Sequence, residues 1–328
     1  MSETLPSRRI GRVPALTLMG YGASQFGNLN RVTSDEASRD AVEAAWAAGV
    51  RYFDTAPHYG LGLSERRLGL ALRDRPRDEY VLSTKVGRLL VPTPERSGET
   101  DADFLVPATH RREWDFSRDG IRRSLDASLE RLGVDRVDIA YLHDPDDWWN
   151  EAATTGVSAL LELRDEGVVR AIGVGMNQVG MLAEFVRRCD VDLVMVAGRC
   201  TLLDQSAVTG LLPLAADRGV AVVAAAVYNS GLLSRSTVPD HVLYDYAPAD
   251  RLLVERARRL AAVCERHGVE LPAAAAQYPL RHPEVVSVVL GTRTADQARE
   301  GVARLRAPIP EDLWAELEAE GLVEARVR

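Results

Sequence analysis

The sequence predicts an α/β fold, a closed (β/α)8 TIM barrel. Three observations carry this expectation. Short apolar, β-branched runs alternate with longer stretches of helical spacing, there are eight such runs, and no linker rich in Pro, Gly and Ser divides them. At 328 residues, 46% of them hydrophobic, the chain can bury one large core, and the length is ordinary for a barrel with insertions. A single domain over 1–328 follows, with a doubly wound open sheet as the alternative.

The first strand is predicted over 16–22, followed by a helix that Ser34 caps, with Asp35 and Glu36 in its first turn. The second, 51–56, precedes a helix opening at Ser64–Glu65. The third is 80–86. Its helix starts at Ser117 and sets Ile121, Leu125, Leu129 and Leu132 on one face. Strands at 137–143, 171–176, 193–198, 220–227 and 285–291 complete the count. Runs such as VVAAAV (222–227) suit parallel strands covered on both sides. Two connections are long, 88–116 with Trp114 and 233–250 with Tyr244 and Tyr246. In a barrel both follow the carboxyl ends of strands, where active sites form.

The net charge of -8 provides no basic stripe, and arginine runs such as Glu65–Arg66–Arg67 are interleaved with acids, so nucleic acid is not an expected partner. Cys189, Cys200 and Cys264 are odd in number and lack a CxxC, which fits a reducing compartment. No apolar run reaches membrane-spanning length and no secretory h-region stands near the start; a soluble, cytoplasmic protein is expected. No metal site is assigned, and without a heptad pattern no oligomeric state is either.

Asp54 closes the second strand (RYFDTA), and Tyr59 follows in the next loop. Lys85 lies near the end of the third strand and His143 ends the fourth. Adjacent strand ends meet on one rim, so an acid, a phenol, an amine and an imidazole are expected in one pocket. Taken singly, each has a structural explanation: a snorkelling lysine, a rim tyrosine, a core histidine, a capping aspartate. Together they form an acid–base group for a carbonyl/alcohol pair. A cation about 4 Å from the phenol, worth roughly 4 kcal/mol at an effective dielectric near 20, is expected to lower its pKa by about two to three units before desolvation opposes it. The group has no nucleophile of its own, so a hydride must come from a cofactor.

DTAPHYGLGLSERRLG (54–69) resembles the aldo-keto reductase signature D-T-A-x-x-Y-G-x-x-E, slightly lengthened before Glu65, and RRSLDASLERLGVDRVDIAYLHDPDD (122–147) resembles the second signature. The resemblance runs from Met19-Gly20-Tyr21-Gly22 to the helix after the eighth strand. It implies that Tyr59 is the general acid/base, that Lys85 and Asp54 tune it, and that His143 orients the substrate oxygen. STKVGR (83–88), AGRCTLLDQ (197–205), AAVYNSGLL (225–233) and LHDPDD (142–147) are similar to the bacterial D-threo-aldose 1-dehydrogenase or L-fucose dehydrogenase group, with galactose and pyridoxal dehydrogenases nearby. What this implies is oxidation of an aldose of the L-fucose, D-arabinose or L-galactose type at C1 to a lactone, with NAD or NADP as cofactor. Reduction of aldehydes or ketones by NADPH is the alternative, and a non-catalytic nucleotide-sensing subunit a remote one.

No GxGxxG follows the first strand, so barrel loops are expected to hold the cofactor. LGTRTADQAREGV (290–302) opens a helix after the eighth strand, where barrels bind phosphate. It resembles the family segment G-x-R-x-x-x-Q-x-x-E-N at Gly291, Arg293, Gln297 and Glu300, with Gly301 in place of Asn. Asn229, Ser230, Gly231 and Leu232 are expected along the pyrophosphate, and Asn177 at the nicotinamide. The usual strand-six Gln is replaced by Ala197 or Gly198, with Arg199 nearby. Arg293 is a candidate for a 2′-phosphate, without deciding between NAD and NADP. Trp114, Asp144 and Trp148 are the candidate substrate contacts, with Trp149 and Tyr244 in the loops around them.

Overall fold

The computed structural model describes residues 4–240, 243–245 and 247–324. Eight parallel strands close into a barrel: β1 (Met19–Gly22), β2 (Tyr52–Asp54), β3 (Val81–Val86), β4 (Ile139–His143), β5 (Ala171–Met176), β6 (Leu193–Ala197), β7 (Ala221–Ala225) and β8 (Val285–Gly291). Each pairs with its neighbours in the chain, and β8 closes on β1 with Val288 opposite Met19 and Gly291 opposite Gly22. The open-sheet alternative is thereby excluded.

The predicted first strand is in fact two. Leu16–Thr17 pairs antiparallel with Ser7–Arg8, and only Met19–Gly22 enters the barrel. The break falls at Leu18, whose N–H still donates to the Pro6 carbonyl of the hairpin while its own carbonyl accepts from the Val288 N–H of the barrel. Both halves are buried, so the apolar run conceals the break. The hairpin plugs the amino-terminal end, with Val13 and Leu16 joining Tyr52, Val81, Ile139, Tyr141, Met195 and Val223 in the barrel interior.

The helices form where their caps place them. Ser34 accepts from the Ala37 N–H ahead of Asp35–Ala47, and Ser117 from the Gly120 N–H ahead of Arg118–Leu132. Gly69 lets Leu63–Leu72 approach that second helix: a Cβ there would stand 2.0 Å from the Leu132 carbonyl oxygen.

The segment predicted as a long loop over 88–116 contains a hairpin, Arg88–Pro92 against His110–Trp114, with Arg88 opposite Trp114. The second long connection carries a shorter one, Leu243–Tyr244 against Ala247–Pro248; Tyr246 lies outside the described residues. No helix among the described residues is long and apolar enough to cross a membrane.

Candidate active site

The barrel brings all four predicted catalytic residues together. Asp54 and His143 end β2 and β4, and Lys85 is the penultimate residue of β3. Lys85 Nζ donates to Asp54 Oδ2 at 2.7 Å and to the Thr55 carbonyl at 3.0 Å, both side chains being almost wholly buried. Nζ also stands 4.9 Å from the centre of the Tyr59 ring, and the imidazole of His143 stands 5.8 Å from that ring, edge to face. The Tyr59 loop is set by a bare backbone contact. A Cβ on Gly60 (φ 62°) would meet Gly27 at 2.5 Å, and one on Gly27 would meet the Tyr59 carbonyl carbon at 2.5 Å.

Beneath the ion pair runs a column of hydroxyls. Ser83 Oγ donates to Asp54 Oδ1 at 2.7 Å, Tyr52 OH lies 3.1 Å from Ser83 Oγ, and Tyr141 OH lies 3.2 Å from Tyr52 OH. Ser83 has one proton and gives it to the carboxylate, so Tyr52 donates to Ser83 and Tyr141 to Tyr52.

Burial pulls the Lys85 ammonium down, but Asp54 and Tyr59 more than offset it, so its pKa is raised and the group is charged. The expected fall in the Tyr59 pKa is not found. Burial raises the phenol, Lys85 opposes this, Asp54 adds to it, and the net shift is upward. The ammonium pulls the phenol down, but burial, the largest influence, outweighs it. His143 is held well below its ordinary pKa by burial, then by Arg88 and Lys85, and is neutral. Its Nε2 lies 3.6 Å from Asp144 Oδ2 while Nδ1 is buried without a partner, which favours the single ring proton on Nε2, beside the carboxylate.

Two arginines of the hairpin over 88–114 frame His143. Arg88 Nη2 donates to Asp144 Oδ2 at 2.7 Å, and its guanidinium lies 5.0 Å from the centre of the Trp114 ring. Asp144 sits at φ 41°, a left-handed backbone that turns the chain immediately after β4. Arg112 donates from Nε to His58 Nδ1 at 2.6 Å, and its terminal nitrogens grip Asp101 at 2.6 and 2.8 Å. Leu61, Phe104 and Val106 cluster with Tyr59 and Leu90. Trp148 is 39% exposed. The Trp149 ring instead packs 4.7 Å from Phe185 under Arg188.

The ends of β5 to β8 complete the rim. Asn177 is exposed directly after β5. Asn229 Nδ2 donates to the Gly198 carbonyl at 3.1 Å, joining the ends of β6 and β7, and its Oδ1 is buried and unpartnered. Ala226, Asn229, Ser230 and Gly231 all take positive φ, with Ser230 and Gly231 exposed and the Leu232 side chain buried. Thr294 caps Ala295–Arg306, and Gln297 Oε1 accepts from the Arg293 N–H at 2.9 Å, leaving its amide nitrogen to donate. Gly291, Gln297 and Glu300 are exposed. Gly301 faces inward, where a Cβ would meet Met19 at 2.9 Å. Arg293 is turned into the barrel seam. Nη1 donates to the Arg31 carbonyl and Thr33 Oγ1 at 2.7 and 2.5 Å, and Nη2 to Gln25 Oε1 and the Leu29 carbonyl at 2.5 and 2.6 Å. Tyr244 and Asp245 are tied to Arg199, the residue after the altered strand-six end.

Residues 18–320 match the aldo/keto reductase family. The chain is an aldo-keto reductase. It is 50% identical to D-threo-aldose 1-dehydrogenase of a Pseudomonas species, over 97% of each chain. To pyridoxal 4-dehydrogenase of Microbacterium luteolum it is 37% identical, over 96% of this chain and 97% of that one. An aldo-keto reductase of Bacillus halodurans, solved in its holo form, superposes with a TM-score of 0.76 at 25% identity, covering 99% of this chain and 98% of that one. This aldo-keto reductase is an NAD(P)-dependent oxidoreductase. Its rim fits such a cofactor: the orphaned Asn229 Oδ1, the exposed Ser230–Gly231 turn and the capped helix opening at Ala295 offer polar groups and N–H donors on one face.

Sequence reasoning missed Arg88, Arg112, His58 and Ser83 as parts of this aldo-keto reductase site. Each acts through a partner remote in the chain. The STKVGR string contains Ser83 and Arg88, and the signature string at 54–69 contains His58; Arg112 lies in neither.

Proposed function

We propose that this aldo-keto reductase oxidises an aldose of the L-fucose, D-arabinose or L-galactose type at C1 to the lactone, in the cytoplasm. The observation that carries the reading is the polar frame around His143. Asp144 carries a carboxylate held by Arg88 beside the catalytic imidazole, an acceptor suited to sugar hydroxyls rather than to an apolar carbonyl substituent. The name of the Pseudomonas relative, D-threo-aldose 1-dehydrogenase, supports the same substrate class.

In this reading Trp114 and Trp148 flank the sugar, Asp144 accepts from its hydroxyls, and His143 donates Nε2–H to the C1 oxygen. Tyr59 takes the C1 hydroxyl proton as the C1–O bond becomes a carbonyl. Tyr59 acts here as its phenolate, which the charge of Lys85 favours, while Asp54 keeps Lys85 charged and in place. A bound oxidised nicotinamide dinucleotide supplies the hydride acceptor. Asn177, Asn229, Ser230, Gly231, the Leu232 backbone, Gly291, Gln297 and Glu300 hold it, and Arg293 braces the turn that carries Gly291.

The test is a screen of L-fucose, D-arabinose, L-galactose and pyridoxal with NAD and with NADP, read by absorbance of the reduced nicotinamide. Sugar turnover is expected, and Tyr59→Phe is expected to abolish it while cofactor still binds. Absence of turnover with every sugar, alongside robust reduction of aldehydes, would overturn the reading in favour of a carbonyl reductase.

A further inference from the structure

His58 immediately precedes the catalytic tyrosine, and its ring stands beside the other two aromatic members of the site. The centroids lie 5.6 Å from His143 and 6.0 Å from Tyr59, and 5.2 Å from Phe104, which backs it edge-on. The ring is half-buried. Its tautomer is decided by its partner. An arginine Nε is only ever a donor, so His58 Nδ1, 2.6 Å from Arg112 Nε, must accept, and the one proton of the neutral ring sits on Nε2. Arg112 cannot swing away easily, since Asp101 holds both its terminal nitrogens and one of these also reaches the His58 carbonyl at 3.4 Å.

Burial, then Arg88 and Arg112, push the His58 pKa down to about 3, so the ring is neutral at any working pH. No described residue accepts from Nε2, and this atom is not among the buried polar atoms lacking a partner. A donor that is fixed in tautomer, unsatisfied by protein and accessible is available to substrate.

We propose that His58 is a specificity-determining residue whose Nε2–H donates to the substrate hydroxyl adjacent to C1. This rests on the sugar-oxidation reading above. His143 and His58 then form a pair of neutral N–H donors on neighbouring oxygens of the substrate, while Asp144 on the other side of His143 accepts. The hairpin over 88–114 positions two of these three groups through its arginines, Arg112 for His58 and Arg88 for Asp144.

The experiment compares kcat/KM for L-fucose and 2-deoxy-L-fucose in wild type, His58→Phe and His58→Gln, with cofactor binding followed by fluorescence. His58→Phe keeps the contact with Phe104 and removes the donor. It is expected to lower kcat/KM on L-fucose about tenfold, the worth of one hydrogen bond to a neutral hydroxyl, and to change the deoxy sugar by less than about twofold. His58→Gln, which can still donate, is expected to recover part of the discrimination. Arg112→Met leaves the ring in place but frees its tautomer, and is expected to erode the same selectivity. Equal losses on both sugars in His58→Phe would overturn the assignment alone. A wild type that oxidises neither sugar would instead overturn the reading on which it rests.

Discussion

Ser83 Oγ lies 2.7 Å from Asp54 Oδ1, on the carboxylate oxygen that Lys85 does not use. Asp54 is therefore shared between a cation that lies beside the Tyr59 ring and a hydroxyl column that descends into the barrel through Tyr52 and Tyr141. Removing the serine proton concentrates negative charge on Asp54, which already raises the Tyr59 pKa. Ser83→Ala is expected to move the pH profile of oxidation to higher pH and to lower kcat/KM at neutral pH about three- to tenfold. Full pH profiles of kcat/KM for variant and wild type decide the matter; an unshifted profile would show that the column is only structural.

The raised Tyr59 pKa has a direction-dependent consequence. A phenol is the ready acid at neutral pH, whereas its base form grows about tenfold per pH unit until the raised pKa is reached. Oxidation is expected to accelerate steadily across the range from pH about 6 to about 10 without a plateau, and the reverse reduction to need no such rise. His143 is neutral throughout and contributes no limb of its own there. A plateau in kcat/KM for oxidation below pH about 8 would place the working pKa well under the phenol's ordinary value.

Glu65, the signature acid, is fully buried and bound by Arg131 Nε at 2.6 Å and by Thr84 Oγ1 at 2.8 Å. It anchors the helix after the Tyr59 loop to β3 and to Arg118–Leu132, and its hydrogen bonds reach none of the four candidate catalytic residues. Arg131→Met strands the carboxylate, and a loss of about 3–5 kcal/mol in urea denaturation is expected. Burial raises the Glu65 pKa even in the wild type. A carboxyl whose folded pKa exceeds its unfolded value is favoured as pH falls, so the deficit relative to wild type should shrink towards pH about 5. A deficit independent of pH would contradict an ionised Glu65.

Arg293 tests differently, because the residue could act on fold or on cofactor. Its four hydrogen bonds into 25–33 predict that Arg293→Ala costs about 2–3 kcal/mol and changes kcat/KM for NAD and NADP by the same factor. A selective loss with NADP above about tenfold would assign the guanidinium to a 2′-phosphate instead.

That the four candidate residues would meet was legible because it follows the repeat: Asp54, Lys85 and His143 each fall at or next to the end of a strand whose apolar run is plain in sequence. β5 and β8 were read to the residue, as their runs end in abrupt polar or glycine-containing turns. Leu18 was not legible as a break, since buried residues flank it on both sides. Nor were the framing pairs. Arg112 and His58 are 54 residues apart and Arg88 and Asp144 are 56 apart, and nothing local in a string distinguishes such an arginine from the many at the surface. The Tyr59 shift was misjudged for a related reason. The sequence supplies the cation, but how far the cation is already engaged, and how deeply the phenol is sunk, are properties of the assembled rim.

The β8–β1 seam bears on how the chain is made. Arg8, in the hairpin beneath β1, donates to the carbonyls of Leu280, His282 and Val285, and the loop above β1 is gripped by Arg293. Until the stretch from Leu280 to Arg293 has left the ribosome, the first strand emerges with one edge unpaired, its floor and its upper loop both waiting for partners translated near the end. A nascent chain stalled before that point exposes two open strand edges, at β1 and β7, and is the species a chaperone would have to shield.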